Sequence, residues 1–188
     1  MQLRIVGGHW GGQRIRVPSG STVRPTPDRV REAIFDVLEH RVVLSDLVVY
    51  DLYAGTGALG IEALSRGSPH ATFVEAAWRT AAAIRANLER LGVPADRWKV
   101  VHARVEPWLK KVRGEPARFL LLLDPPYATA EYGPVLNLVA QSARFAAGTL
   151  LVIETSSRAE VLVPPGLELF QTKRYGDTSV SFLLKSAC

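Results

Sequence analysis

Cysteine is almost absent from this sequence, which limits the chemistry that the chain can support. Cys188 is the only cysteine among 188 residues, so no internal disulfide can form. The four histidines are scattered, and no Cys/His spacing typical of a zinc site occurs. We therefore expect a protein without a metal, in a reducing, cytoplasmic setting.

Long apolar runs are also missing. No run approaches the roughly 20 residues of a membrane span, and the first residues contain no signal-peptide stretch, so we expect no membrane association. A hydrophobic content of 47% and a charged content of 22% are typical of a globular chain whose length suits one domain. We predict a single domain over residues 1–188, with a basic hairpin extension at 1–24 and the core at 25–188.

Acidic residues are missing from the first 24 positions, which hold Arg4, Arg14, Arg16 and Arg24. These arginines account for four of the five units of net positive charge. Residues around a glycine-rich turn that contains Trp10 alternate in polarity, which predicts a short N-terminal β-hairpin. Such a segment suits a phosphate-rich surface, although a solvated basic face is an alternative. Trp10 could stack on a base or pack the hairpin against the sheet.

A helix is predicted directly after this basic segment. Thr26 is a suitable N-cap, Pro27 suits the first helical position and Asp28 suits the first turn. Arg29 also belongs to the first turn. Apolar residues then recur at helical spacing and form one stripe. The stripe consists of Val30, Ile34, Val37 and Leu38.

A glycine-rich turn follows the first apolar strand of the core and leads into a predicted helix. Gly55 and Gly57 allow the backbone to approach a ligand closely. Asp51 lies at the end of this strand. Glu75 ends the next apolar strand, where a carboxylate suits two ribose hydroxyls. The lysine of a Walker motif is absent, which argues against a triphosphate ligand.

A second motif follows the apolar run at residues 119–123, where Asp124, Pro125, Pro126 and Tyr127 occur in succession. The Asp124 carboxylate and the Pro125 carbonyl can each accept an N–H hydrogen bond from an exocyclic amine of a nucleobase. The two prolines make the turn stiff, and Tyr127 can stack on a base turned out of its helix. This arrangement suits methyl transfer to the amine. The alternative is an ordinary Pro-Pro turn after a core strand.

The core alternates between predicted strands and helices. Strands are predicted at residues 48–52, 71–75, 98–102, 119–123, 149–154, 167–175 and 180–184, and helices at 61–66, 76–91, 105–112 and 132–145. This order indicates an α/β fold with a mainly parallel seven-stranded sheet, one antiparallel edge strand and helices on both faces. Asp51, Glu75 and Asp124 all end strands, so they should meet in one crevice.

The joint pattern resembles the S-adenosylmethionine-dependent methyltransferases of Rossmann-like fold. It is most similar to the RsmD-type 16S ribosomal RNA guanine-N2 methyltransferases. The resemblance covers nearly the whole chain. The segments that carry it are residues 24–26, 28–32 with Phe35, 51–60, 62–67, Glu75 and 124–127.

The resemblance implies three groups of site residues. The cofactor-binding group is Asp51, Tyr53, Ala54, Gly55, Thr56, Gly57, Glu75 and Arg104. The catalytic group, which would hold the target amine, is Asp124, Pro125, Pro126 and Tyr127. The expected RNA-binding group is Arg14, Arg16, Arg24, Thr26 and Arg29. Arg104 departs from the family pattern, in which Asp or Asn meets the adenine amine, because a guanidinium accepts no hydrogen bond.

The leading functional hypothesis is methylation of a guanine N2 amine in 16S rRNA, within the small ribosomal subunit or an assembly intermediate. S-adenosyl-L-methionine is the expected cofactor, and a monomer is expected. A DNA or other RNA amino-methyltransferase, acting on adenine N6 or cytosine N4, is one alternative. The chain has no sizeable region between its motifs for reading base edges in a duplex. A non-catalytic RNA-binding protein that retains the fold is the other alternative.

Overall fold

The computed structural model describes residues 2–17, 26–125 and 132–187. Five α-helices are described: α1 Asp28–Glu39, α2 Ala58–Ser65, α3 Trp78–Arg90, α4 Val105–Leu109 and α5 Tyr132–Gln141. The strands are β1 Gln2–Arg4, β2 Arg14–Arg16, β3 Val48–Leu52, β4 Ala71–Glu75, β5 Trp98–His102, β6 Phe119–Leu123, β7 Leu150–Ser156, β8 Leu167–Tyr175 and β9 Thr178–Lys185. No described helix is long and apolar enough to cross a membrane.

Seven strands form one sheet in the order β5-β4-β3-β6-β7-β9-β8. The five strands from β5 to β7 are mutually parallel, and β9 pairs antiparallel with both β7 and the edge strand β8. The predicted mainly parallel, seven-stranded α/β sheet is therefore confirmed. In the parallel part, the chain moves outward from β3 to β5 and then returns to β6. This reversal places a crevice at the carboxyl ends of the central strands.

The two faces of the sheet are covered by separate apolar cores. Side chains alternate along each strand. On β3, Val49 belongs to the core beneath α1, α2 and α3, whereas Tyr50 and Leu52 belong to the core beneath α4 and α5. Helices therefore cover both faces, as the alternation of strands and helices predicts.

The N-terminal hairpin packs over α2. Glu62 on α2 is fully buried, and its two carboxylate oxygens accept hydrogen bonds from the backbone N–H groups of Val6 and Gly7 at 2.8 and 2.7 Å. The Trp10 backbone N–H donates to Ser65 Oγ at 2.9 Å. Trp10 itself is buried in the first core, so it packs the hairpin against the rest of the protein and is not available to stack on a base. These contacts explain why every residue of α2 is buried.

The prediction of Thr26 as the N-cap of α1 is wrong. Pro27 occupies the N-cap position, and among the described residues no side chain caps the helix. The Thr26 hydroxyl instead donates a 2.8 Å hydrogen bond to Glu154 Oε2 on β7. A buried carboxylate needs hydrogen-bond donors more strongly than an exposed helix end, which water can satisfy.

Candidate active site

Four carboxylates form a row across the carboxyl ends of adjacent strands, in which Asp51 lies two residues earlier in the strand register than the other three. Across the sheet, they belong to Glu75 on β4, Asp51 on β3, Asp124 directly after β6, and Glu154 on β7. Strand alternation directs all four toward the face that α1, α2 and α3 cover. The first three are the carboxylates that the sequence predicts to meet. Glu154 extends the row by one strand.

The turn between β3 and α2 has unusual backbone geometry. Tyr53, Gly55 and Gly57 have φ angles of 62°, 53° and 74°. A tyrosine in this left-handed region is uncommon and marks a constrained site. Gly57 also lies close to α3, because a Cβ atom there would come within 3.1 Å of Ile84 Cγ2. The turn is thus held tightly between β3 and α3, at the carboxyl end of β3.

Glu75 is held rigidly by backbone donors. Its Oε2 accepts a hydrogen bond from the Gly55 N–H at 2.9 Å, and its Oε1 accepts one from the Ala77 N–H at 2.7 Å. An ionised carboxylate has about four acceptor positions. Each oxygen therefore keeps capacity for a further donor, and two neighbouring hydroxyls of a ribose match that capacity.

Asp51 is a buried carboxylate. It is 2% exposed, and its Oδ2 accepts a hydrogen bond from the Gly60 N–H at 2.9 Å. Burial raises the pKa of Asp51 to about 8, the Gly60 hydrogen bond opposes this rise, and the charge of Glu75 adds to it. A cation bound in the crevice would stabilise the ionised form. This electrostatic environment favours a positively charged ligand.

Asp124 is partly exposed at the end of β6. Burial raises the pKa of its carboxyl well above the usual value, and the charges of Glu154 and Asp51 raise it further. Pro125 is buried next to it. Pro126 and Tyr127, which the sequence assigns to the same turn, lie outside the described residues, as does Arg24. The described part of the motif therefore presents one perturbed carboxylate beside Asp51.

Arg104 lies at the carboxyl end of β5, next to the strand that carries Glu75. It is exposed and directly precedes α4. The adjacent Ala103 N–H donates to the Glu75 carbonyl at 3.0 Å. Arg104 thus borders the Glu75 end of the crevice.

The predicted RNA-binding residues fall into two locations. Arg29 is exposed in the first turn of α1, close enough to Tyr175 at the end of β8 to influence its pKa. Arg14 and Arg16 lie elsewhere. Their backbone groups bond to Arg90 and Asn87, in the C-terminal half of α3. Asn87 is about 13 Å along the helix from the first turn beside Glu75, so the backbone of β2 does not border the crevice.

Thr26 does not fit a direct RNA contact. It is 5% exposed, and its hydroxyl is committed to Glu154. A buried side chain whose donor is already used cannot bond a phosphate without a rearrangement. Its expected place in the RNA-binding group is therefore corrected: Thr26 joins the start of α1 to β7.

Comparison with known proteins identifies the family. A family model described as Conserved hypothetical protein 95 matches residues 3–184. Ribosomal RNA small subunit methyltransferase D of Escherichia coli K12 is 32% identical over 187 residues, which cover 99% of this chain and 91% of that protein. The chain belongs to this methyltransferase D family. Its namesake in Haemophilus influenzae is 29% identical over 178 residues, covering 95% of this chain and 91% of that protein.

A solved structure supports the same family membership. An Escherichia coli protein named as a methyltransferase, yhhF, aligns over 100% of both chains with a TM-score of 0.85 and 31% identity. The predicted resemblance to methyltransferase D and the Rossmann-like fold are thus both confirmed.

Two of the buried charged residues that were not predicted, one on β7 and one on α1, lie on the elements that Thr26 joins. Glu154 ends an apolar strand, as Glu75 and Asp124 do, and that shared position was the available signal. Arg31 is 1% exposed. It precedes Ile34 and Phe35 by three and four residues, so helical spacing places it on the buried side of α1.

Proposed function

We propose that the protein is an S-adenosyl-L-methionine-dependent methyltransferase that modifies the exocyclic N2 amine of a guanine in 16S rRNA. The observation that carries this proposal is the position of Asp124 at the carboxyl end of β6. There it directly follows the pairing of Leu123 with Leu52, next to the glycine-rich turn, and is close enough to Asp51 for their charges to interact. A carboxylate for the amine thus lies next to the groups suited to the cofactor. The names of the relatives support rRNA as the substrate class.

The residues at the crevice fit this cofactor. Glu75 would accept the two ribose hydroxyls through its remaining acceptor positions. The backbone of the turn at Tyr53, Ala54, Gly55, Thr56 and Gly57 would line the methionine portion. Asp51 would balance the positive charge of the ligand. Its pKa is raised to about 8 by burial, and a bound cation would favour its ionised form. Arg104 would stack on the adenine ring, since it cannot accept a hydrogen bond from the amine.

Asp124 would orient the target amine and stabilise its charge. When bound, S-adenosylmethionine supplies an activated methyl group that moves from sulfur to nitrogen. Asp124 and the Pro125 carbonyl would each accept an N–H hydrogen bond, which turns the nitrogen lone pair out of the base plane. Positive charge develops on the nitrogen, so the Asp124 interaction strengthens in the transition state. The raised pKa of Asp124 also suits it to receive the proton that the product nitrogen releases.

The remaining parts of the proposal concern the substrate particle and the setting. The target would be 16S rRNA within the small subunit or an assembly intermediate, in the cytoplasm, and the protein would act as a monomer without a metal. Tyr127 would stack on the flipped base. Arg29 would contact phosphates beside the crevice, whereas Arg14, Arg16 and Arg24 would add charge from the N-terminal segment.

Tritiated methyl transfer to 30S subunits, naked 16S rRNA and DNA in parallel tests this function. We expect label in 30S subunits or 16S rRNA, and N2-methylguanosine after nuclease digestion and mass analysis. Label in DNA, or N6-methyladenine or N4-methylcytosine as the product, would contradict the proposal.

A further inference from the structure

Glu154 occupies the strand position directly beside Asp124. In the parallel pairing of β6 with β7, Leu123 lies opposite Ile153, so the next residues of the two strands are also neighbours. Both side chains are directed toward the face beneath α1. Glu154 is only 5% exposed. A second carboxylate is therefore buried beside the proposed catalytic one, on a strand that contributes no other residue to the proposed site.

Thr26 connects this carboxylate to the N-terminal part of the chain. Its hydroxyl donates to Glu154 Oε2 at 2.8 Å, a contact between residues 128 positions apart. Its carbonyl accepts a hydrogen bond from Arg31 Nη1 at 2.6 Å. Arg31 also bonds the Arg4 carbonyl of β1 and the Asp28 carboxylate. A buried polar network thus joins β1, the start of α1 and the end of β7.

We propose that Glu154 is a positioning residue, which acts on the reaction through Asp124 and holds the start of α1 beside it. This inference rests on the proposed function, because it assigns Asp124 to the target amine. Through Thr26, Glu154 places the first turn of α1, with the exposed Arg29, at the same end of the sheet as Asp124. Through its charge, it makes ionisation of Asp124 less favourable.

Two neighbouring carboxylates influence the ionisation of Asp124. Among the described residues, the charged groups that act on Asp124 are Glu154 from β7 and Asp51 from β3. Glu75 on β4 acts on Asp51 in turn. The contact from the start of α1 to Glu154 is the neutral Thr26 hydroxyl. Removing the charge of Glu154 should therefore let Asp124 ionise at lower pH, while Asp51 continues to oppose its ionisation.

The variant Glu154→Gln tests this directly, because the amide keeps an oxygen for Thr26 but carries no charge. We expect the low-pH limb of the kcat profile, measured on 30S subunits with saturating cofactor, to move down by about one pH unit. Thr26→Val should move it in the same direction by less, because loss of the hydrogen bond from Thr26 makes the ionised form of Glu154 less favourable. Thr26→Ser, which keeps the hydroxyl, should match the wild type.

A matched control separates positioning from general support of the fold. Glu62 is also fully buried and accepts two backbone hydrogen bonds, but from the hairpin at Val6 and Gly7. Glu62→Gln should lower the unfolding midpoint without moving the pH profile. If Glu154→Gln and Thr26→Val both reduce kcat equally at every pH, Glu154 only supports the fold and the inference is overturned.

Titration of Asp124 in the protein alone distinguishes failure of this inference from failure of the proposed function. Carbon NMR of labelled aspartate carboxyl groups should show a lower titration midpoint for Asp124 in Glu154→Gln than in the wild type. If the wild type methylates no RNA yet this midpoint moves, the proposed function fails while the influence of Glu154 on Asp124 stands. An unchanged midpoint overturns the inference even if 30S subunits are methylated.

Discussion

The Gly55 backbone N–H donates a 2.9 Å hydrogen bond to Glu75 Oε2, which links the glycine-rich turn to the end of the neighbouring strand. The two residues lie 20 positions apart in the chain. This bond fixes the carboxylate relative to the turn, so the proposed ribose and methionine contacts belong to one preorganised unit. Loss of either partner should therefore lower the affinity for the cofactor more than it lowers the rate of methyl transfer.

Glu75→Ala should weaken S-adenosylmethionine binding by about 1–3 kcal/mol, the usual cost of leaving polar partners unpaired. Calorimetry on the purified variant measures this loss. Glu89→Ala, an exposed change on α3, is the matched control and should bind the cofactor normally. Equal affinities for the Glu75 variant and the wild type would remove Glu75 from the site.

Asp51 should make the ligand-free protein less stable as pH rises. Its folded pKa of about 8 lies above the ordinary value of 3.8, so the folded state binds more protons than the unfolded state between these values. The free energy of unfolding should therefore fall from about pH 4 to about pH 8. Urea titrations of the wild type and Asp51→Asn at several pH values test this. The stability difference should shift in favour of Asp51→Asn as pH rises, whereas parallel curves would contradict the assignment.

Gly60→Ala should destabilise the protein, because no space exists for a Cβ atom at this position of α2. The added carbon would lie 2.4 Å from Phe73 Cε1 and 2.9 Å from Asp51 Oδ2. Overpacking of this kind typically costs about 1–3 kcal/mol. Gly133→Ala is the matched control, since no atom of the described residues lies within 4 Å of a carbon added to that helical glycine. It should be neutral or stabilising, and denaturant unfolding distinguishes the two outcomes.

Arg29→Gln should reduce the dependence of RNA affinity on salt by about one phosphate contact. Arg29 is exposed in the first turn of α1, at the end of the molecule that carries Asp124. Filter binding to 30S subunits at a series of salt concentrations gives the slope. Arg113→Gln serves as the control, because Arg113 is also exposed and donates to the backbone carbonyls of Lys110 and Val112. If the dependence of affinity on salt has the same slope for Arg29→Gln and the wild type, Arg29 does not contact the RNA.

Sequence patterns predicted the strands well because buried strands have a strong local signature. The run Phe119–Leu123 is apolar throughout, and the strand occupies those residues. The end of α5 was less predictable. That helix ends at Gln141, four residues before the predicted end at residue 145. Phe145 lies beyond the helix, where its ring packs edge-on against the ring of Phe119 with 5.4 Å between the ring centroids. An apolar residue that fits the helical pattern can thus belong to the turn after the helix and still pack into the core.

Contacts between distant residues explain most of what the sequence did not reveal about the site. Thr26 has the residue type and local setting of an N-cap, yet its hydroxyl donates a hydrogen bond to the buried carboxylate of Glu154, 128 positions away. No local pattern encodes that choice. By contrast, the meeting of Asp51, Glu75 and Asp124 was predictable, because parallel strands bring their carboxyl ends to one edge of a sheet.

Asp124→Ala should reduce turnover far more than cofactor binding. The proposed hydrogen bonds from the amine to Asp124 strengthen as positive charge develops, so their loss acts mainly on the transition state. A loss of about 10²–10³ in kcat is typical when one such electrostatic partner is removed. Asp124→Asn should retain more activity than Asp124→Ala, because one acceptor oxygen remains while the charge is lost. Single-turnover methyl transfer to 30S subunits, with the cofactor Kd from calorimetry, separates the two effects. Wild-type turnover in Asp124→Ala would place the chemistry on another residue.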